Sequence, residues 1–211
     1  PSVQFNPDVK GVIGNGCVID LESLFSEIDE LERSGISIKD RLYLSGSANI
    51  ITREHVIEDL KNSKVGTTGR GIGPAYSDKV SRTGIRVNDL FDMTILKSAH
   101  REFYDYLISS GLINRLDEIY YLAADTQSMI VDAYDKGEKI FFEGAQGALL
   151  DIDHGTYPFT TSSNTTVGGV MIGSGIPPNK IDAVIGIVKA YTTRVGNGPF
   201  PSEFGGKESE E

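Results

Sequence analysis

The residues best suited to holding a phosphorylated ligand fall in a few short stretches. Gly66-Thr-Thr-Gly-Arg-Gly-Ile-Gly-Pro74 places four glycines, two hydroxyls and an arginine within nine residues. Glycine lets backbone N–H groups approach an anion closely. Threonine hydroxyls add donors, and an arginine forks onto phosphate oxygens. The spacing is not that of a Walker A loop. Gly66 and Gly71 have the right separation, but Ile72 and Gly73 stand where Lys and Ser/Thr are needed. Nor is it a dinucleotide fingerprint, because Gly71-Ile-Gly73 runs into Pro-Ala-Tyr76. The plainer alternative is a surface loop that uses glycine for turns. Downstream, Arg70, Lys79, Arg82 and Arg86 form a basic cluster, or simply a solvated helix face.

Three later stretches have the same character. Phe142-Glu-Gly-Ala-Gln-Gly147 follows a short apolar run, where an open α/β sheet presents its ligands. A neutral Gln146 amide there can donate to an oxygen that gains negative charge, while Glu143 faces a ligand or accepts backbone N–H bonds. In Leu149-Leu-Asp-Ile-Asp-His-Gly-Thr-Tyr-Pro158, Asp151, Asp153 and His154 suggest a metal or acid/base pair, or a local turn network. The hydroxyl run that follows to Thr166 is either an oxyanion-binding surface or a helix start. Tyr191-Thr-Thr-Arg-Val-Gly-Asn-Gly-Pro199 carries Arg194 and two glycines, fit to line a sugar or phosphate site. No Gly-x-Ser-x-Gly elbow and no close Cys–His pair supports nucleophilic protease chemistry.

The elements that must position these stretches alternate short apolar runs with helical patterns, which favours a layered α/β architecture. Gly11–Ile19 reads as a strand with a glycine turn. Leu21, Leu24, Phe25, Ile28 and Leu31 fall at helical spacing, with Asp20 as cap and Gly35 as terminator. Leu42–Ser45 reads as a strand, Glu54–Lys61 and Ala75–Arg82 as helices, and Ile95–Ser110 and Ile113–Tyr134 as two longer helices. Lys139–Phe142 and Ile181–Tyr191 are expected to be buried strands.

With 211 residues the chain is long enough for one α/β domain. A net charge of −10 argues against nucleic-acid binding, which needs a basic face. The apolar runs are too short to cross a bilayer, so no membrane role is expected. Cys17 is the single cysteine, which excludes an intrachain disulfide and fits a reducing, cytoplasmic setting. The three histidines are far apart in sequence, so no metal site is expected. The first residue is Pro, and the chain is expected to be an internal piece of a longer protein.

Taken together and in order, Gly66–Tyr76, Phe142–Gly147, Leu150–Pro158, Thr161–Thr166 and Thr193–Pro201 resemble the adenylosuccinate synthetases. Gly11–Leu21 and Asp40–Ser45 are similar to that family's earlier segments, and the resemblance runs to about Phe204. It implies a mostly parallel central sheet flanked by helices, P-loop-NTPase-like, with residues 1–204 forming the central part of one domain. A helical subdomain is expected at about 94–136, and an acidic tail at 205–211.

The implied reaction is GTP-dependent ligation of aspartate to inosine monophosphate, through phosphorylation of the 6-oxygen and its displacement by the amine, with magnesium on the transferring phosphoryl group. The resemblance implies that Thr68 and Thr161 hold the 5′-phosphate and that Gln146 contacts the base near its 6-oxygen. It also implies that Val195 passes the ribose and that Arg82 reaches the nucleotide of the other subunit in a homodimer. The family's amino-terminal GTP loop, its catalytic Asp and His, its aspartate-binding arginine loop and its guanine-binding motif have no counterpart in the sequence. The 211-residue piece is therefore expected to be inactive in ligation and prone to self-association. The alternatives are a non-catalytic purine-monophosphate-binding or dimerisation module and a relative acting on a modified purine nucleotide.

Overall fold

A computed structural model describes residues 2–62 and 66–203. The tail expected at 205–211 lies outside the described residues. Near the amino terminus, β1 (Gly11–Ile13) leads through a glycine turn to β2 (Val18–Ile19). Asp20 then caps α1 (Leu21–Arg33) by accepting the Ser23 N–H at 2.9 Å. The five apolar residues read at helical spacing are the buried face of α1, and Gly35 ends the helix at φ +77. A side chain at that angle would crowd its own backbone, so glycine terminates the helix without strain.

From there β3 (Leu42–Ser45) returns parallel to β1, with Gly11 opposite Leu42 and Ile13 opposite Leu44. The short β5 (Ala123–Ala124) pairs parallel to the other edge of β3, giving the order β1-β3-β5. A second parallel pair joins β2 to β4 (Asn49–Ile50). Parallel neighbours need long crossovers, and α1 is the one between β1 and β3.

The helices that follow are α2 (Arg53–Asn62), α3 (Ile72–Ser81), α4 (Met93–Ala99), α5 (Arg101–Ser109), α6 (Leu116–Leu122), α7 (Thr126–Asp135) and α8 (Val167–Ser174). Leu96, Phe103, Leu107, Leu116, Ile119 and Leu122 share one apolar cluster with Leu42 and Leu44, so the region from α4 to α6 is packed on the sheet. No described helix is long and apolar enough to cross a membrane.

Three expectations are corrected. The helix expected over Ile95–Ser110 is two helices that meet at His100, and Asp92 caps the first of them by accepting the Thr94 and Ile95 N–H groups. The helix expected over Ile113–Tyr134 is broken twice: by a 3-10 turn at Leu112–Arg115 behind left-handed Gly111, and by β5 before Asp125 caps α7. The third correction concerns Lys139–Phe142 and Ile181–Tyr191. Neither is a strand, and Phe141, Val184, Ile185, Ile187 and Val188 are exposed. A buried strand requires a neighbour offering N–H and C=O groups in register, and neither run is paired with a described strand.

Candidate functional site

The Gly66–Pro74 stretch is the entrance to α3, and α3 is anchored on the turn after β1. The Tyr76 hydroxyl donates to the Gly16 carbonyl at 2.7 Å, and Lys79 Nζ to the Asn15 carbonyl at 2.9 Å. Burial pulls the Lys79 ammonium below its ordinary range, and repulsion from Arg86 adds to this against the attraction of Cys17. Lys79 is therefore a structural anchor rather than a free surface cation. On the opposite side, His55 is buried and accepts the Thr52 N–H on Nδ1 at 3.0 Å. That leaves the proton on Nε2, which donates to Asp78 Oδ2 at 3.1 Å and ties α2 to α3.

Close backbone approaches bring the remaining stretches to this loop. A Cβ on Gly66 would lie 2.6 Å from Gly196 Cα and 2.9 Å from Asn197 N, so the loop bearing Thr68 touches the one bearing Val195. A Cβ on Gly73 would lie 3.4 Å from Ser162 Oγ, which places the start of α3 beside the hydroxyl run at Thr161. Arg194 Nη2 donates to the Phe159 carbonyl at 3.0 Å, linking the Val195 loop to the same run. The Thr165 hydroxyl donates to the Gly147 carbonyl at 2.8 Å, which draws in the loop of Gln146. The segments carrying Thr68, Thr161, Val195 and Gln146 therefore meet. Thr68, Gln146 and Val195 are exposed and Thr161 is half-buried.

Arg82 does not join them. It follows the last residue of α3, whose ten residues extend about 15 Å at 1.5 Å each, so it stands at the far end from the loop. Arg82 and Gln146 share a second property. With Asp40, they are the described non-glycine residues at positive φ, at +65 and +61. For Arg82 this closes α3, its N–H donating to the Asp78 and Lys79 carbonyls. Nothing comparable accounts for Gln146.

Asp151 organises the hydroxyl run. The carboxylate is fully buried. Its Oδ1 accepts the Asp153 and His154 N–H groups at 2.9 and 3.0 Å, and its Oδ2 those of Thr165 and Thr166 at 2.7 and 3.3 Å. Burial alone would raise its pKa, but the four N–H bonds outweigh burial and hold it at about 2, against an ordinary 3.8. Of the two readings of Asp151, Asp153 and His154, the turn network is the one found. Both Asp151 oxygens are committed, and no group of three or more His, Cys, Asp or Glu side chains among the described residues suits a metal ion. The hydroxyl run is indeed followed by a helix start, since α8 begins at Val167, but Asp151 already occupies the N–H groups of Thr165 and Thr166.

A cavity of about 720 Å³ lies elsewhere, at the carboxyl ends of β3 and β5, lined by Ser45, Asn88, Tyr120, Asp125 and Gln127 among others. It has no basic lining residue, which makes it a poor phosphate site. The glycine and hydroxyl loops are the better candidate. Sequence reasoning missed one residue there: Asp59, whose carboxylate holds the Gly66–Pro74 loop from α2.

A parallel sheet flanked by helices, with glycine- and hydroxyl-rich loops gathered at the start of α3, defines a layered α/β protein. Comparison with known proteins specifies it further: the family model for adenylosuccinate synthetase matches residues 1–211, and the chain belongs to that family. It is 47% identical to the adenylosuccinate synthetase of Alcanivorax borkumensis over 97% of this chain and 53% of that protein. It is 46% identical to that of Acidothermus cellulolyticus over 100% and 54%. The chain thus spans about half the length of the curated relatives it matches. Among solved structures, fully ligated adenylosuccinate synthetase from Plasmodium falciparum superposes over the whole chain and 54% of its own, with a TM-score of 0.84 and 38% identity. The cyanophage S-2L succinoaminodeoxyadenylate synthetase, solved with dGMP and dATP, shares the fold at a TM-score of 0.60 and 21% identity, over 84% of this chain and 44% of its own.

Proposed function

We propose that the chain supplies the purine-monophosphate wall of an enzyme that ligates aspartate to inosine monophosphate at the expense of GTP. The observation that carries this reading is the convergence of the four loops, with Gly66 against Gly196 and Gly73 against Ser162. Thr68 and Thr161 hold the 5′-phosphate with hydroxyl and backbone donors. The Gln146 amide faces the base and donates to its 6-oxygen as negative charge develops there, before the aspartate amine displaces the phosphorylated oxygen. Val195 and the glycine after it leave room for the ribose. Arg82, exposed and at the far end of α3 from the loop, serves the cleft of a second copy in a homodimer on this reading.

The implied magnesium would shield charge on the transferring phosphoryl group. The described residues gather no donor set that fits it, so the chain's own part is binding and orientation. A cleft of this kind without metal donors equally suits a binding module, and turnover separates the two readings. The chain alone is expected to release no phosphate from GTP in the presence of inosine monophosphate and aspartate.

Calorimetric titration of inosine monophosphate tests the reading directly. Thr68→Ala removes one hydroxyl to a charged phosphate and is expected to weaken binding about tenfold, or about 1.4 kcal/mol. Wild-type protein that shows no saturable binding, or binds equally well after Thr68→Ala, would contradict the assignment. Arg82→Leu is expected to weaken binding only at concentrations where sedimentation shows dimer.

A further inference from the structure

The two adjacent threonines of the glycine-rich loop have different roles, and a carboxylate on α2 separates them. Asp59 is half-buried, and its Oδ2 accepts both the Thr67 hydroxyl at 2.8 Å and the Gly71 N–H at 2.9 Å. Thr67 Oγ1 in turn accepts the Gly69 N–H at 3.1 Å. One oxygen thus gathers both ends of a five-residue turn, Thr67 to Gly71. The loop lies directly on α2, since a Cβ on Gly71 would be 2.9 Å from His55 C and Val56 N. The His55–Asp78 bond fixes α2 against α3 beneath it. Thr67, Gly69 and Gly71 therefore spend their donors inside the turn. Thr68 and Arg70 make no side-chain hydrogen bond among the described residues and are both exposed.

We infer that Asp59 is the positioning residue of the monophosphate site: it closes the turn internally so that the Thr68 hydroxyl and the Arg70 guanidinium are the groups presented to a phosphate. This inference rests on the phosphate-binding reading of the loop. Asp59 suits the task because the Gly71 N–H opens α3, where an anion is favoured, and because hydrogen bonds to a carboxylate are shorter and stronger than neutral ones. A carboxylate here also places negative charge near an anionic ligand. Removing its bonds and removing its charge should therefore have opposite effects on affinity. Both bonds fall on one oxygen, so Asp59→Asn can keep them while removing the charge, whereas Asp59→Ala removes everything.

The first arm of the test needs no ligand. Amide hydrogen exchange in the free chain is expected to rise about tenfold or more at Gly69 and Gly71 in Asp59→Ala, to return most of the way in Asp59→Asn, and to stay unchanged at Leu44 in both. Exchange at Gly69 and Gly71 that ignores Asp59→Ala would overturn the inference. The second arm is titration with inosine monophosphate. Asp59→Ala and Thr67→Val are expected to weaken binding about tenfold, and Asp59→Asn to stay within about threefold of wild type or to tighten it. A loosened loop that still binds with wild-type affinity would also overturn it. Wild-type protein with a protected loop but no binding would instead sink the phosphate reading and leave Asp59 as a loop anchor.

Discussion

Leu42-Tyr-Leu-Ser45 and Val184-Ile-Gly-Ile-Val188 are both short, mostly apolar runs and have opposite environments. The first lies between β1 and β5, and Leu44 within it is wholly shielded from solvent. The second forms no strand, with Ile187 and Val188 at 92% and 91% exposure. The difference lies in the neighbours, since Val and Ile of the exposed run favour strands at least as strongly as Leu and Ser of the buried one. An apolar run becomes a strand where flanking chains satisfy its N–H and C=O groups, and the described residues supply such flanks to the first run alone. The exposed run is a contiguous apolar surface of the kind that soluble monomers seldom carry.

The largest test of this contrast is truncation in each run. Leu44→Ala should cost about 2–5 kcal/mol in urea unfolding, because it leaves a cavity in a closed core. Ile187→Ala should stay within about 0.5 kcal/mol, as surface changes do. Equal effects would erase the contrast. A middle-sized effect concerns Asp151, which gives order to the 151–166 segment without a strand. Its pKa in the folded chain lies below the unfolded value, so its contribution is complete above pH 3.8 and is lost as pH falls through about 2. Amide exchange at Thr165 and Thr166, corrected for intrinsic pH dependence, should be steady down to about pH 4 and quicken below it. Asp151→Asn should show the quickened exchange at neutral pH, because an amide has one acceptor oxygen for four N–H groups. The smallest effect is on association. Light scattering should show a mass that grows with concentration, and Ile187→Lys should reduce that growth without altering the unfolding free energy by more than about 0.5 kcal/mol. A concentration-independent monomer mass for wild type would break the link between the exposed run and association.

The sequence made the first half of the fold legible because its signals are local. The spacing from Leu21 to Leu31, the Asp20 cap and the Gly35 terminator all act within a few residues, and α1 forms where they place it. The helix breaks at His100 and after Leu122 were legible in principle, through Asp92 and Asp125 as caps. Continuous apolar periodicity across both sites masked them. The misread strands at 139–142 and 181–191 depend on partners that no local pattern reveals. The candidate site divides in the same way. Glycine and hydroxyl density marked the loops of Thr68, Thr161 and Val195. Asp59 was invisible because its bonds reach eight and twelve residues ahead, with no motif joining them.

Gln146 occupies a backbone region that glycine enters freely and other residues enter at a cost of about 1 kcal/mol. Its neighbours Gly144 and Gly147 are already glycine, so the chain keeps a side chain at the one strained angle among them. Gln146→Gly should therefore leave the melting temperature level or higher while weakening ligand affinity. In this protein, an easier-folding variant at that position would be the poorer binder.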